Sequence, residues 1–263
     1  MATQALPTNP SELRALCRVG ALDSPTAGLA PGYVQANLVV LPEDMAFDFL
    51  LFCQRNPKPC PLLEVLEAGK TEPSLAPGSD IRSDLPRYRI YREGEWTEEV
   101  TNIRDHWQDN LVTFLLGCSF TFEQALLESG ISLRHVSEGS NVSMYVTNIP
   151  TNAAGAFSGP MVVSMRPIHM DQVVRAVQVT SRFPGAHGAP IHLGDPAAIG
   201  IKNLGKPDFG DPVEIRNDEV PVFWACGVTP QAVAQTCRPP FMVTHSPGHM
   251  FITDARDADL AVI

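Results

Sequence analysis

The sequence predicts an α/β fold in which a larger domain, residues 1–130 plus 213–263, is interrupted by a smaller α+β unit at roughly 131–212. Three observations predict it. Short apolar runs of strand length alternate with capped, helix-spaced patterns along most of the chain. The middle changes character: the apolar runs Met144–Thr147 and Met161–Met165 are joined by a loop rich in Gly, Ala, Pro and Asn. A chain of 263 residues, 44% of them hydrophobic, buries about 70–75% of its unfolded surface and needs no disulfide or metal staple.

Element by element, Ser11 to Val19 reads as a short helix capped by Ser11 and stopped by Gly20. Residues 24–37 read as a loop leading into a buried strand, Leu38–Leu41. Pro42 then opens a helix over Glu43–Arg55, with Phe47, Leu50 and Leu51 on one face. Asn56–Pro61 holds three prolines and is irregular, and 71–79 is a polar loop. Tyr88–Tyr91 and Trp96–Val100 flank Arg92-Glu93-Gly94-Glu95, a hairpin signal. Asp105 to Leu116 reads as an amphipathic helix broken by Gly117-Cys118-Ser119. Thr121, with Gln124 three residues on, has capping-box spacing for a helix that ends at Gly130. Asp171–Thr180 reads as a helix and Phe183–Asp195 as a Gly-Pro-His loop.

Composition excludes several functions. A net charge of −10 argues against nucleic acid and anionic membrane partners. No apolar run reaches the ~18 residues of a membrane span. The start, Met-Ala-Thr-Gln-Ala-Leu-Pro, has neither the basic region nor the apolar core of a secretory signal. The six cysteines, at 17, 53, 60, 118, 226 and 237, form no C-x-x-C pair and read as reduced cytoplasmic thiols. Asn141-Val142-Ser143 matches a glycosylation acceptor, which has no meaning in a cytosolic chain. No G-x-G-x-x-G or P-loop is present, so no cofactor is expected. The expected partner is a small-molecule carboxylate substrate; self-association into a homo-oligomer is left open.

The chemistry concentrates in 220–254. The apolar run Val220–Ala225 stops at Cys226-Gly227, and a helix is expected from Thr229 as N-cap with Pro230 at its first position. Free N–H groups at such a start lower a thiol pKa. An echo lies upstream: Cys118-Ser119-Phe120-Thr121 and Cys226-Gly227-Val228-Thr229 share Cys-x-x-Thr before a helix. The plain alternative is that both are small buried apolar residues. The run Phe241–Val243 delivers His245 and His249 on a Pro-Gly loop, which excludes a helical zinc pair. A metal there needs a third ligand, His187, His192 or Asp195, and none has a specific ligand spacing. Arg166, directly after an apolar run, is placed to clamp a carboxylate or to form an internal salt bridge. Thr147-Asn148 offers a hydroxyl and an amide, and Gly155, Gly159 and Gly188 permit close approach of a ligand. His106, His135 and His169 read as surface or structural.

Several segments together resemble the D-glutamate cyclase family, whose bacterial members are labelled hydro-lyases of unknown specificity. They are Pro-Thr-Ala-Gly-Leu-Ala-Pro-Gly-Tyr-Val-Gln-Ala-Asn (25–37), Asp-Leu-Pro-Arg-Tyr-Arg (84–89), Phe-Leu-Leu-Gly-Cys-Ser-Phe-Thr-Phe-Glu (114–123), Met-Tyr-Val-Thr-Asn-Ile-Pro-Thr-Asn-Ala-Ala-Gly (144–155), Gly-Pro-Met-Val-Val-Ser-Met-Arg-Pro (159–167), His-Gly-Ala-Pro-Ile-His-Leu-Gly-Asp-Pro (187–196) and the 220–254 block. The resemblance implies a three-layer α/β/α domain with a smaller two-layer α+β domain. It also implies an activity, D-glutamate to 5-oxo-D-proline plus water, associated with mitochondrial eukaryotic members that carry an additional domain for which this chain has no room.

The expected enzyme is therefore a cofactor-free lyase acting on a small amino or hydroxy acid. Cys118, Cys226, His245 and His249 are the catalytic candidates. Arg166 anchors the α-carboxylate, with Thr147, Asn148, Ser119, His187 and Thr229 around it. A histidine supplies the base, and a thiol donates a proton or forms a thioester with the γ-carboxyl. Two rivals stand beside it: a two-thiol amino-acid racemase or epimerase, and a non-catalytic module that binds small carboxylates.

Overall fold

A computed structural model describes residues 6–262; the first five residues, on which part of the N-terminal reading rests, lie outside them. The fold is mixed α/β, and the strand pairs in both sheets are antiparallel. Helix α1 spans Pro10–Arg18, and its cap is Asn9 rather than Ser11: Asn9 Oδ1 accepts the N–H groups of Ser11 and Glu12. Strand β1 spans Tyr33–Pro42, so the expected 24–37 loop is too long. Its first half is strand because β11 (Phe251–Arg256) and β5 (Leu111–Gly117) pair with it from far along the chain.

Helix α2 occupies Glu43–Arg55 as the sequence predicts, but rotated. Phe49, Phe52 and Cys53 face the core while Phe47 is 73% exposed. Both stripes are apolar, and contact with Phe114 of β5, 4.8 Å between ring centroids with Phe49, selects one. After β2 (Leu62–Leu66) comes the expected hairpin, β3 (Tyr88–Arg92) and β4 (Glu95–Val100), turning on Glu93-Gly94. The helix expected over 105–116 is absent. A 3-10 turn at Arg104–His106 precedes β5, whose seven residues are all buried. A continuous apolar run of this kind belongs to an interior strand, and periodicity does not separate it from a buried helix.

The seven-stranded sheet runs β2-β5-β1-β10-β3-β4, with β10 spanning Phe241–His245 and β11 also on β1. A four-stranded sheet runs β6-β7-β9-β8, from Ser143–Pro150, Pro160–His169, Glu219–Ala225 and His192–Leu193. Strand β9 lies in the 213–263 segment that the sequence reading gave to the larger domain, yet it pairs with β7 from Val163↔Ala225 to His169↔Glu219. Helices α3 (Phe120–Glu128), α4 (Arg134–Glu138) and α5 (Val173–Ser181) accompany this sheet, where Phe122, Leu126, Ala176 and Trp224 share one buried cluster. Helix α6 spans Thr229–Cys237.

Candidate functional site

A cleft of about 590 Å³ opens between the β3–β4 hairpin and the segments around Asn141, Val146 and Phe209, bounded by α6 and the Ser246–His249 loop. That volume lies in the range that holds a small ligand. The hairpin sets its charges. Arg89 stands opposite Glu99 because the register shifts by one residue between Ile90 and Tyr91. Arg89 Nε donates to Glu99 Oε2 at 3.2 Å, Ser246 Oγ donates to the same oxygen at 2.8 Å, and Arg87 Nη1 lies 3.5 Å from Oε1. Burial pushes the Glu99 carboxyl up, but the bond from Ser246, then those of Arg89 and the two guanidinium charges, hold it below its ordinary value. The Arg89 guanidinium lies 4.1 Å over the Trp96 ring. Its terminal nitrogens bond no carboxylate among the described residues; the guanidinium also interacts with the Tyr91 hydroxyl, and the residue lines the cleft.

His249 also lines the cleft. Its Nδ1 sits 3.0 Å from Pro247 O; with the proton there, Nε2 carries the free lone pair. Burial lowers its pKa, against the Pro247 bond and the Glu99 charge, so the ring is a neutral base near neutral pH. Tyr91 Oη donates to Gln231 Oε1 at 3.1 Å, and Gln231 Nε2 to His245 O at 2.9 Å, which ties α6 to β10 at the cleft wall.

The other sequence candidates lie deeper. The Cys-x-x-Thr echo appears as a shared local geometry. The Cys118 thiol accepts the N–H of Phe120 at 3.5 Å, and the Cys226 thiol accepts the N–H of Val228, each two residues ahead at a helix start. Both thiols belong to one apolar cluster, which shares Val146 and Phe209 with the cleft. The expected fall in thiol pKa does not occur. Burial pushes the Cys226 thiol up to about 11, and Cys118 further still, outweighing the N–H bonds.

Arg166 is committed inside the protein. Its Nε and Nη2 donate to Glu123 Oε1 at 2.9 and 2.5 Å, Nη2 also to Ser119 Oγ at 2.9 Å, and Nη1 to Ser164 Oγ at 3.1 Å. His135 Nε2 reaches the same Glu123 oxygen at 3.0 Å. The guanidinium is thus the salt bridge of the plain alternative, with no nitrogen left for a ligand. Thr229 is the first residue of α6 rather than its cap, its hydroxyl 2.7 Å from Cys226 O and 3.0 Å from the N of Val162. Thr121 likewise lies within α3, which has no side-chain cap.

His245 is fully buried, with Nδ1 at Leu38 and Nε2 unpartnered; burial drives its pKa down to about 3. His187, at φ +77°, holds Lys58 O at 2.6 Å and is pushed down to about 4 by burial. Neither titrates where a base near neutral pH would. Thr147 Oγ1 donates to Met161 O at 2.7 Å, and Asn148 is exposed beside Gly200. Two of the three glycines expected to admit ligand meet protein instead: a Cβ at Gly155 would stand 1.8 Å from Asp48 Oδ2 and at Gly159 3.2 Å from Val233, whereas at Gly188 it would make only ordinary contact, 3.6 Å from Pro184. Among the described residues no group of three or more His, Cys, Asp or Glu has metal-ligating geometry, and no helix is long and apolar enough to cross a membrane.

Of the sequence candidates only His249 lines this cleft; Arg89, Glu99 and Ser246, which the sequence reading did not single out, line it too. Arg89 lies in the 84–89 segment, and the hairpin signal pairs it with the acidic end of β4. Counting back from the turn gives Glu98 as its partner, and only the bulge makes it Glu99.

These features define a mixed α/β protein with a polar cleft holding an arginine, a carboxylate and a neutral imidazole. The family model described as D-glutamate cyclase matches residues 112–254, and the chain belongs to that family. A Thermoanaerobacter sp. protein named "Putative hydro-lyase" is 65% identical over 96% of this chain and 96% of its own length. The "Putative hydro-lyase YcsI" of Bacillus subtilis is 64% identical over 97% and 99%, and a Geobacillus kaustophilus protein of the same description is 64% identical over 99% and 100%. Among solved structures, a nitrogen repressor-like protein from Methanococcus jannaschii aligns over 90% of this chain and 92% of its own, at TM-score 0.39 and 11% identity, too distant a likeness to carry weight.

Proposed function

We propose that the chain is a cytoplasmic hydro-lyase that takes a small α-amino or α-hydroxy acid in the cleft, with D-glutamate, cyclised to 5-oxo-D-proline, as its leading substrate. The relatives' names and the family description support the reaction class. The observation that carries the site is the open Arg89 guanidinium beside Glu99 and His249. Arg89 receives the α-carboxylate in a two-pronged bond, and Glu99 faces the α-ammonium. His249 Nε2 takes a proton from that ammonium. The freed amine attacks the γ-carboxyl carbon, a C–N bond forms and a C–O bond breaks. The two protons shed by nitrogen leave with that oxygen as water. The thiols are buried, held protonated and absent from the cleft wall, so neither serves as a thioester nucleophile; His249 passes the proton it took from nitrogen to the leaving oxygen.

The test is a panel of D- and L-amino and hydroxy acids incubated with purified protein and read by mass spectrometry. Loss of one water from D-glutamate, abolished in His249→Asn with the fold intact, is expected. Ligand-induced stabilisation without turnover of any acid would instead support the binding-module reading. One observation favours a racemase as second reading: two thiols with matching N–H contacts in a single cluster. Exchange of Cα–H in deuterated water separates the two, because cyclisation leaves Cα untouched.

A further inference from the structure

The Gly28–Tyr33 loop, which the proposed reaction does not use, folds over a small cavity of about 30 Å³ against α3 and Asp257. That is room for one water-sized occupant. Gln35 reaches it from β1 and is 3% exposed. Its Nε2 donates to Thr26 O at 3.1 Å and Leu29 O at 2.9 Å. The amide is therefore fixed, since flipping it would set its oxygen against two carbonyls. Its Oε1 is buried and has no partner. Asp257, 9% exposed and tied to the loop through its N–H to Gly32 O at 3.2 Å, also lines the cavity with Oδ1 buried and unpartnered. Glu123 forms part of the wall. Arg166 and His135 both bond its Oε1, so among the described residues its second oxygen is free.

We infer that this cavity is a monovalent-cation site, taking potassium or ammonium on Gln35 Oε1, Asp257 and Glu123. A side-chain carbonyl and two carboxylates line this one cavity, and two of their oxygens, Gln35 Oε1 and Asp257 Oδ1, are buried without a partner. Glu123 is already paired with Arg166, but Asp257 has no ion-pair partner among the described residues, and burial, with the Glu128 charge added, pushes its carboxyl up to about 7; a cation meets that charge, which a neutral water does not. The neighbouring cation, Arg256, is stacked 3.9 Å over Tyr33, and Glu128 adds further negative charge near Asp257. Divalent ions are disfavoured because calcium seeks 6–8 oxygens and magnesium keeps near-ideal octahedral geometry. The inference departs from the expectation of a metal-free protein and is independent of the cleft and its reaction.

The test is thermal unfolding of the full chain near neutral pH at constant ionic strength, with potassium or ammonium chloride replacing tetramethylammonium chloride. A saturable rise of about 3–6 °C is expected once the cation reaches ten times its dissociation constant, together with its loss in Asp257→Asn. Equal melting in all the salts, or a rise that persists undiminished in Asp257→Asn, overturns the inference. If Asp257→Asn does not fold, crystals of the native chain soaked in thallium(I) decide. An anomalous peak within bonding distance of Gln35 Oε1 supports the site, and density that fits water only refutes it.

Discussion

Arg89 and Arg166 both project from sheet strands toward a glutamate, and they differ in what remains of each guanidinium. Arg89 bonds Glu99 through Nε alone and lies against Trp96 at the edge of an open cleft. Arg166 is 1% exposed and uses all three nitrogens on Glu123, Ser119 and Ser164. An arginine after an apolar run is therefore no guide to a carboxylate clamp. What decides is whether its neighbours saturate it. Ser119 and Ser164 saturate Arg166, whereas the terminal nitrogens of Arg89 bond no carboxylate among the described residues.

That contrast breaks most sharply at the buried end. Arg166→Met leaves Glu123 ionised in the interior with His135 as its remaining partner, and such a loss costs about 3–5 kcal/mol. Urea unfolding is expected to show that drop, and loss of activity should track loss of fold. At the open end, Arg89→Met should leave the melting temperature within about 2–4 °C of the parent, since part-exposed ion pairs contribute about 0–1 kcal/mol. Turnover should fall by about 100-fold or more, the scale of a lost charged transition-state contact. Arg89→Lys should recover only part of it, because an ammonium lacks the planar pair of donors.

The two buried histidines sharpen the comparison through pH. His245 is held near 3 and His187 near 4, both below the ordinary 6.5 because burial penalises the imidazolium. The unfolded chain takes up these protons as pH falls through about 6.5 while the folded chain does not, so stability rises with pH in this window. It is fully present above about 6.5 and is lost as pH drops toward 4, at about 1.4 kcal/mol per pH unit for each histidine. Urea titrations between pH 7 and 4.5 should show this slope, and His187→Gln should flatten it by about one proton. The smallest effect belongs to the thiols. Cys226→Ser and Cys118→Ser should each change turnover by less than about tenfold, or 1.4 kcal/mol. Turnover and melting measured together separate lost chemistry from the burial of a hydroxyl in an apolar cluster.

Local signals were legible, and long-range ones were not. Helix α2, the β3–β4 hairpin and the run from β9 through Cys226 into α6 follow from proline, glycine and apolar spacing, since each is decided by residues within a turn or two. Strand β5 was read as a helix because Leu111–Gly117 is apolar throughout and only its partners β1 and β2 make it a strand. The first half of β1 was read as loop for the same reason, with a partner more than 200 residues away. At the site, the paired thiols and their helix starts were visible as Cys-x-x-Thr, but their burial was not. Burial reverses the pKa argument that helix termini alone suggest. Arg89 and Glu99 were hidden behind a bulge of one residue, which no count from the turn reveals.

The account turns on where the substrate's carboxylate sits. The most direct measurement is a crystal structure of the chain with 5-oxo-D-proline, or with whichever acid the panel shows to be turned over. The carboxylate should lie in the cleft on the terminal nitrogens of Arg89, with His249 Nε2 within hydrogen-bond reach of the ligand nitrogen. A ligand seated between Cys118 and Cys226 with its carboxylate on Arg166, and the cleft empty, would contradict the account and return the site to the buried thiols.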